Sequence, residues 1–224
     1  LISVLLLEGI YFYNFTTPEF NVNVCQLPFW SLSIYYSWKS INDKKISSFI
    51  LLGIFLSLGL LSKYLFIYLI FALKITFLYF IIKEKKFDYK YFIPGIIFLI
   101  ILTPHFIWLF NNDFTTFTYG FKRTGITDLD IMSHFINPII FIAKQIGILL
   151  PMLLIGLSLL KIKNKIKFNF DKKSIFILMI TLLPIIFMFI TSILSGAKIR
   201  TMWITPFYLF FGVLFVLLFK NLIS

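Results

Sequence analysis

The sequence predicts an all-α protein, a polytopic transmembrane helix bundle of about eight spans. Three observations predict it. Of 224 residues, 60% are hydrophobic and 13% charged, with a mean hydropathy of +0.96, whereas a soluble domain carries roughly a quarter of its residues charged. Apolar runs such as Phe49 to Leu61 and Phe207 to Leu218 lack the alternation of barrel strands. Each helical crossing takes about 20 residues, so a chain of this length has room for about eight.

The expected spans, in order, are Leu1 to Tyr13, Gln26 to Trp38, Ile46 to Ser62, Tyr64 to Ile82, Tyr91 to Phe110, Phe135 to Leu160, Ser174 to Leu194 and Trp203 to Phe219. The first is partial. The chain starts at Leu1 with neither a methionine nor a basic n-region, so residues 1–224 read as one transmembrane domain, the C-terminal part of a longer chain, with no separate soluble domain. The second run is short and accommodates a tilted helix, a partly re-entrant one or a longer one that begins nearer Val22.

Sorting charges into alternate loops orients the bundle. One set, Lys39 to Lys45, Lys83 to Lys90, Lys161 to Lys173 and the tail at Lys220, carries 14 lysines and no arginine. The other carries only Lys63, Lys122, Arg123, Lys198 and Arg200. By the positive-inside rule the Lys-rich set is cytoplasmic. Trp38, Trp108 and Trp203 fall near span ends, where interfacial aromatics belong, and Trp30 does not. The net charge of +12 is accounted for by these loops and requires no nucleic-acid partner. The single cysteine, Cys25, forms no internal disulfide, and no Cys/His cluster has metal-ligand spacing.

P-loop, dinucleotide-binding, nucleophile-elbow and paired-histidine zinc motifs are absent. Chemistry must therefore come from polar residues at a membrane face, and the external cations are the unusual feature. Lys63 joins two spans through a very short loop, which pins its ammonium at headgroup level. It serves either as a phosphate ligand or as a snorkelling anchor. Arg200 follows a tight turn at Gly196, and arginine holds phosphate through parallel hydrogen bonds. The stretch Asn111 to His134 is the longest external loop, with Asp113, Lys122, Arg123, Asp128 and Asp130 and turns at Gly120 and Gly125. His105 either faces a cavity or bonds a neighbouring carbonyl. Glu19 is placed to bind a cation, to orient an acceptor hydroxyl or to pair with one of the external cations. Glu8, Lys74 and Lys144 lie deeper, where charge is costly.

Three segments in this order resemble the bacterial membrane glycosyltransferases of the dolichyl-phosphate-mannose protein mannosyltransferase and aminoarabinose transferase superfamily. Thr17-Pro18-Glu19 resembles the family's external Pro-acid motif. Gly59-Leu60-Leu61-Ser62-Lys63-Tyr64 resembles its Gly-x-x-(Ser/Thr)-Lys-Tyr turn, and Lys198-Ile199-Arg200 with Trp203 and Pro206 resembles its late basic-Trp-Pro segment. Pro104 to Asn112 resembles the helix that leads into its long external loop.

The resemblance implies a GT-C fold of family 39 type in a bacterial inner membrane, with the active site at the external face. It implies a polyprenyl-phosphate sugar as donor and a lipid, glycan or protein as acceptor. Lys63 and Arg200, then Arg123 and Lys198, become the ligands of the donor phosphate. The family's catalytic aspartate sits in its first external loop, ahead of Leu1, so transfer is not expected from this stretch alone. Glu19 stands where the family more often has aspartate; it and His105 are the candidates for acceptor or divalent-metal binding, with no cofactor fixed. Two other readings stay open: a transporter or flippase of lipid-linked saccharides, which calls for polar residues through mid-membrane, and a non-catalytic scaffold.

Overall fold

The computed structural model describes residues 1–17, 19–124, 130–161 and 170–223. Nine α-helices of four residues or more lie among them: α1 (Ile2–Leu5), α2 (Val22–Asn42), α3 (Ile46–Ser62), α4 (Ile67–Glu84), α5 (Ile93–Asn111), α6 (Thr115–Thr124), α7 (Ser133–Ser158), α8 (Lys172–Ser195) and α9 (Phe211–Phe219). The fold is all-α, as the composition requires. Helix α3 packs between α2 and α5, and α8 packs against both α4 and α7.

Four described segments are long and apolar enough to cross a bilayer: Tyr64–Glu84, Tyr89–Asn111, Ser133–Ser158 and Lys172–Ser195. The pair Thr201–Tyr208 and Phe211–Phe219, bent by 46°, makes a fifth if it acts as one span. The remaining three expected spans take other forms, each for a physical reason. The run from Leu1 to Tyr13 breaks into α1, a 3-10 turn Leu6–Gly9 and the start of a π-helical turn Phe12–Thr16. Its break falls beside Gly9, where a Cβ would sit 2.5 Å from the Cα of Met152. Helix α2 is 21 residues long, but Asn23, Gln26, Ser33, Ser37 and Ser40 on its buried face dilute its apolar character. Helix α3 is apolar and only 17 residues long.

Local signals explain the helix ends. Asn21, with extended backbone, accepts from the N–H groups of Asn23 and Val24 at 2.9 and 3.4 Å and starts α2 at Val22. Asp171 caps α8 by accepting from Ser174 N–H at 2.8 Å. Helix α8 ends at Gly196, whose φ of 65° is the left-handed conformation that favours glycine. Hydrogen bonding holds the Asp171 carboxyl below its usual range. Asp171→Ala is expected to cost about 1 kcal/mol, measured as the shift of the thermal unfolding midpoint in detergent.

The Lys-rich loops meet at one end of the bundle. Lys90 Nζ donates to the Lys44 carbonyl at 3.2 Å, Lys172 pairs with Glu84 at 2.6 Å, and Lys161 N–H donates to the Leu222 carbonyl at 2.8 Å. Towards the opposite end an aromatic core forms beneath the α3–α4 turn. Trp30 is fully buried, with its ring 4.9 Å from Phe207 and 5.4 Å from Phe66. That accounts for the tryptophan that matched no span border: it belongs to the core.

Candidate functional site

The turn from α3 to α4 is built around Lys63. Gly59 stands one helical turn earlier because the Phe66 ring lies against its Cα; a Cβ there would come within 2.3 Å of the ring. Lys63 is extended, and its carbonyl accepts from Gln26 Nε2 at 3.1 Å and from Phe66 N–H at 3.0 Å. Its ammonium donates to Asn23 Oδ1. Asn23 and Gln26 are three residues apart on one face of α2, so a single helix grips both ends of this lysine.

Arg200 reaches the same place from the other end of the chain. In the segment after Gly196, Ala197 and Ile199 are buried while Lys198 and Arg200 are exposed, the alternation of extended backbone. The chain then turns into the 3-10 helix Thr201–Tyr208, which presents Trp203. Lys63 Nζ lies 5.5 Å from the Trp203 ring centroid and Arg200 Cζ lies 6.0 Å from it. Two cations on one indole is an arrangement within cation–π range, with a net positive charge that an anion would neutralise.

The other two cations border this pair. Arg123, at the end of α6, donates to the Tyr119 hydroxyl and lies 5.7 Å from that ring. It is near enough to Lys63 to act on it: burial, and then the Arg123 charge, push the Lys63 ammonium down to about 7. Lys198 is tied to α6 through its backbone, its N–H donating to the Thr124 carbonyl at 3.4 Å. Lys63, Arg123, Lys198 and Arg200 are thus drawn towards one end of the bundle. The Tyr64 hydroxyl fastens α6 to the turn, bonding Thr116 Oγ1 at 2.9 Å and His105 Nε2 at 2.8 Å, while its ring stacks on Phe117 at 5.1 Å.

Beside Asn23 is a small cavity of about 70 Å³, lined by Glu19, Asn21, Asn23, Val24, Met202 and Thr205. Glu19 therefore stands next to the residue that holds Lys63, and it makes no ion pair among the described residues. His105 bonds the Tyr64 hydroxyl, where a neighbouring carbonyl was one expected partner. Glu19 and His105 belong to no group of three or more metal-ligating side chains among the described residues. Pro18, Gly125 and Asp128, read from the sequence as parts of the site, lie outside the described residues.

With this geometry in place, comparison with known families bears on the readings. Residues 1–108 match the family of dolichyl-phosphate-mannose-protein mannosyltransferases. No curated protein and no solved structure matches the chain. The mannosyltransferase match covers Glu19, Asn23, Gln26, Lys63 and His105, the half of the site contributed by α2, the turn and α5. The resemblance seen in the first two motifs is borne out over that range. Over that stretch the chain is similar to a family of membrane glycosyltransferases of the GT-C type. The mannosyltransferase motifs themselves did not reveal Asn23 and Gln26; their only signal was two polar side chains at i and i+3 in the first turns of an apolar run.

Proposed function

We propose that this chain is a membrane glycosyltransferase that takes its sugar from a polyprenyl-phosphate donor at the external face of a bacterial inner membrane, its Lys-rich loops being cytoplasmic. The acceptor is a lipid, a glycan or a protein. The single observation that carries this is the convergence of Lys63 and Arg200 on Trp203. A departing polyprenyl phosphate gains negative charge as the glycosidic bond to the anomeric carbon breaks, and cations held in a water-poor site stabilise that change. Lys63 and Arg200 contact the phosphate, while Arg123 and Lys198 raise the local positive potential. Glu19 faces the adjoining cavity, where a carboxylate orients a hydroxyl of sugar or acceptor. A transporter would need a polar path through mid-membrane; Lys74 and Lys144 instead point outward, exposed on α4 and α7.

The test is retention of a radiolabelled polyprenyl-phosphate sugar by the purified chain in nanodiscs, a measurement independent of the acceptor base. Arg200→Ala should weaken retention about tenfold or more, the loss of one charge-assisted contact. Retention should also depend on pH. The donor phosphodiester stays anionic across neutral pH, whereas the free Lys63 ammonium loses its proton near 7. Phosphate stabilises the charged form, so affinity is greatest below pH 7 and declines as pH rises above it. Retention unaffected by both Arg200→Ala and pH would overturn the proposal.

A further inference from the structure

At the end of the bundle opposite the basic turn, a second cavity opens between α2, α8 and the start of α9. It is an open-sided groove of about 430 Å³, walled by Leu32, Ile34 and Tyr35 of α2, Phe176 and Ile177 of α8, and Val213 of α9. Its volume lies in the range of ligand clefts, roughly 300–1,000 Å³. Trp38 and Lys173 stand at its mouth, the Trp38 ring 5.1 Å from that of Phe176. Along α2 it runs from Trp38 to Ser31, about 10 Å of helix.

The charges at the mouth are unevenly matched. Lys172 is neutralised by Glu84 at 2.6 Å, and the neighbouring Lys173 is exposed with no ion pair among the described residues. The nearest carboxylate in sequence, Asp171, is engaged in capping α8. Lys39 lies 5.3 Å over the ring of Tyr35, which is itself part of the wall, and makes no ion pair among the described residues. An apolar slot that begins beside a tryptophan and two lysines, each with a carboxylate nearby but neither in a close ion pair among the described residues, has the chemistry of a phosphate headgroup attached to a hydrocarbon chain. Basic pockets between membrane helices hold anionic headgroups in this way, and interfacial tryptophan marks their depth.

We propose that this groove is a binding site for an anionic glycerophospholipid of the leaflet next to the Lys-rich loops. Its phosphate sits between Lys173 and Lys39, and one acyl chain lies against Leu32, Phe176 and Val213. The lipid bridges α2 to α8 and α9, the helices that carry Asn23 at the beginning of the chain and the approach to Arg200 near its end. The site is separate from the sugar-transfer site, so either assignment can fail without the other.

The probe is phosphatidylglycerol with a diazirine in its acyl chain, supplied to the purified chain in phosphatidylcholine nanodiscs, with diazirine phosphatidylcholine as the comparison. Cross-links are expected on peptides containing Leu32, Phe176 or Val213, with the anionic lipid favoured about fivefold for each lysine engaged. Lys173→Glu, on an exposed side chain that leaves the helix cap intact, should remove that preference, while Lys173→Arg should keep it. Leu32→Trp should displace the acyl cross-link without altering the unfolding midpoint. Equal labelling by the two lipids, cross-links confined to other helices, or a polypeptide cross-linked into the groove would each overturn the assignment.

Discussion

Lys63→Ala should weaken retention of a polyprenyl-phosphate sugar about 10- to 100-fold, the largest functional effect expected of any single substitution at the basic end of the bundle. The lysine is half-buried, and its ammonium is held by Asn23 against the Trp203 ring. A hydrogen bond to an ionised partner contributes about 1.5–3 kcal/mol, more than a neutral one. Alanine removes the contact and leaves the site with Arg200 as the cation on that ring. Lys63→Arg should restore charge without restoring full affinity, because a planar guanidinium cannot occupy the place of a compact ammonium beside Asn23. The pH dependence provides a control that simple destabilisation would not reproduce: it should vanish in Lys63→Ala and persist in Arg200→Ala. Should Lys63→Ala retain donor as well as the parent, the lysine is a headgroup anchor and the phosphate is held elsewhere.

Gly59→Ala is expected to give a large loss of stability at the turn that carries Lys63. The added methyl would meet three ring carbons of Phe66 at 2.3 to 2.6 Å, and Phe66 is fully buried against Trp30. Neither ring has free space to move into, since Trp30 is itself stacked on Phe207. Overpacking of this kind costs about 1–3 kcal/mol. The measurement is thermal unfolding of the purified protein in detergent, read by tryptophan fluorescence. Gly95→Ala serves as the comparison, because nothing lies within 4 Å of the position its Cβ would take. Equal midpoints for the two variants would show that the turn yields more readily than its packing indicates. Because the Lys63 carbonyl bonds Phe66 N–H, a shifted ring also moves the lysine, so Gly59→Ala should reduce donor retention as well.

The sequence exposed some of this site for reasons that can be stated. Lysine and arginine at a membrane face that should be poor in them are conspicuous against an apolar background, so Lys63, Arg123, Lys198 and Arg200 stood out. Their convergence was not legible, because Lys63 and Arg200 are separated by most of the chain and only the folded helices bring Trp203 between them. Asn23 and Gln26 were overlooked because polar side chains within an apolar run resemble noise until a partner is known. The start of α2 was partly legible: of the forms open to that short run, the longer helix from near Val22 coincides with the Asn21 cap, whereas its end at Asn42 lies beyond the expected Trp38. The count of crossings was less so. Hydropathy is summed over all faces of a helix, and it cannot separate a run that stays helical from one that breaks, as Leu1 to Tyr13 does at Gly9. Trp30 shows the same limit, being an interfacial residue type that the bundle places in its interior.

The buried serines of α2 bear on how the chain is made. Ser33, Ser37 and Ser40 turn towards the protein with no hydrogen-bond partner for their hydroxyls among the described residues. A segment emerging from the ribosome with Asn23, Gln26 and these three serines would enter the translocon too polar to partition unaided, since its neighbours have not yet covered them. Helix α3 follows after a short loop and packs along α2. The two should therefore leave the translocon together as a hairpin, with α2 held back until α3 has been synthesised.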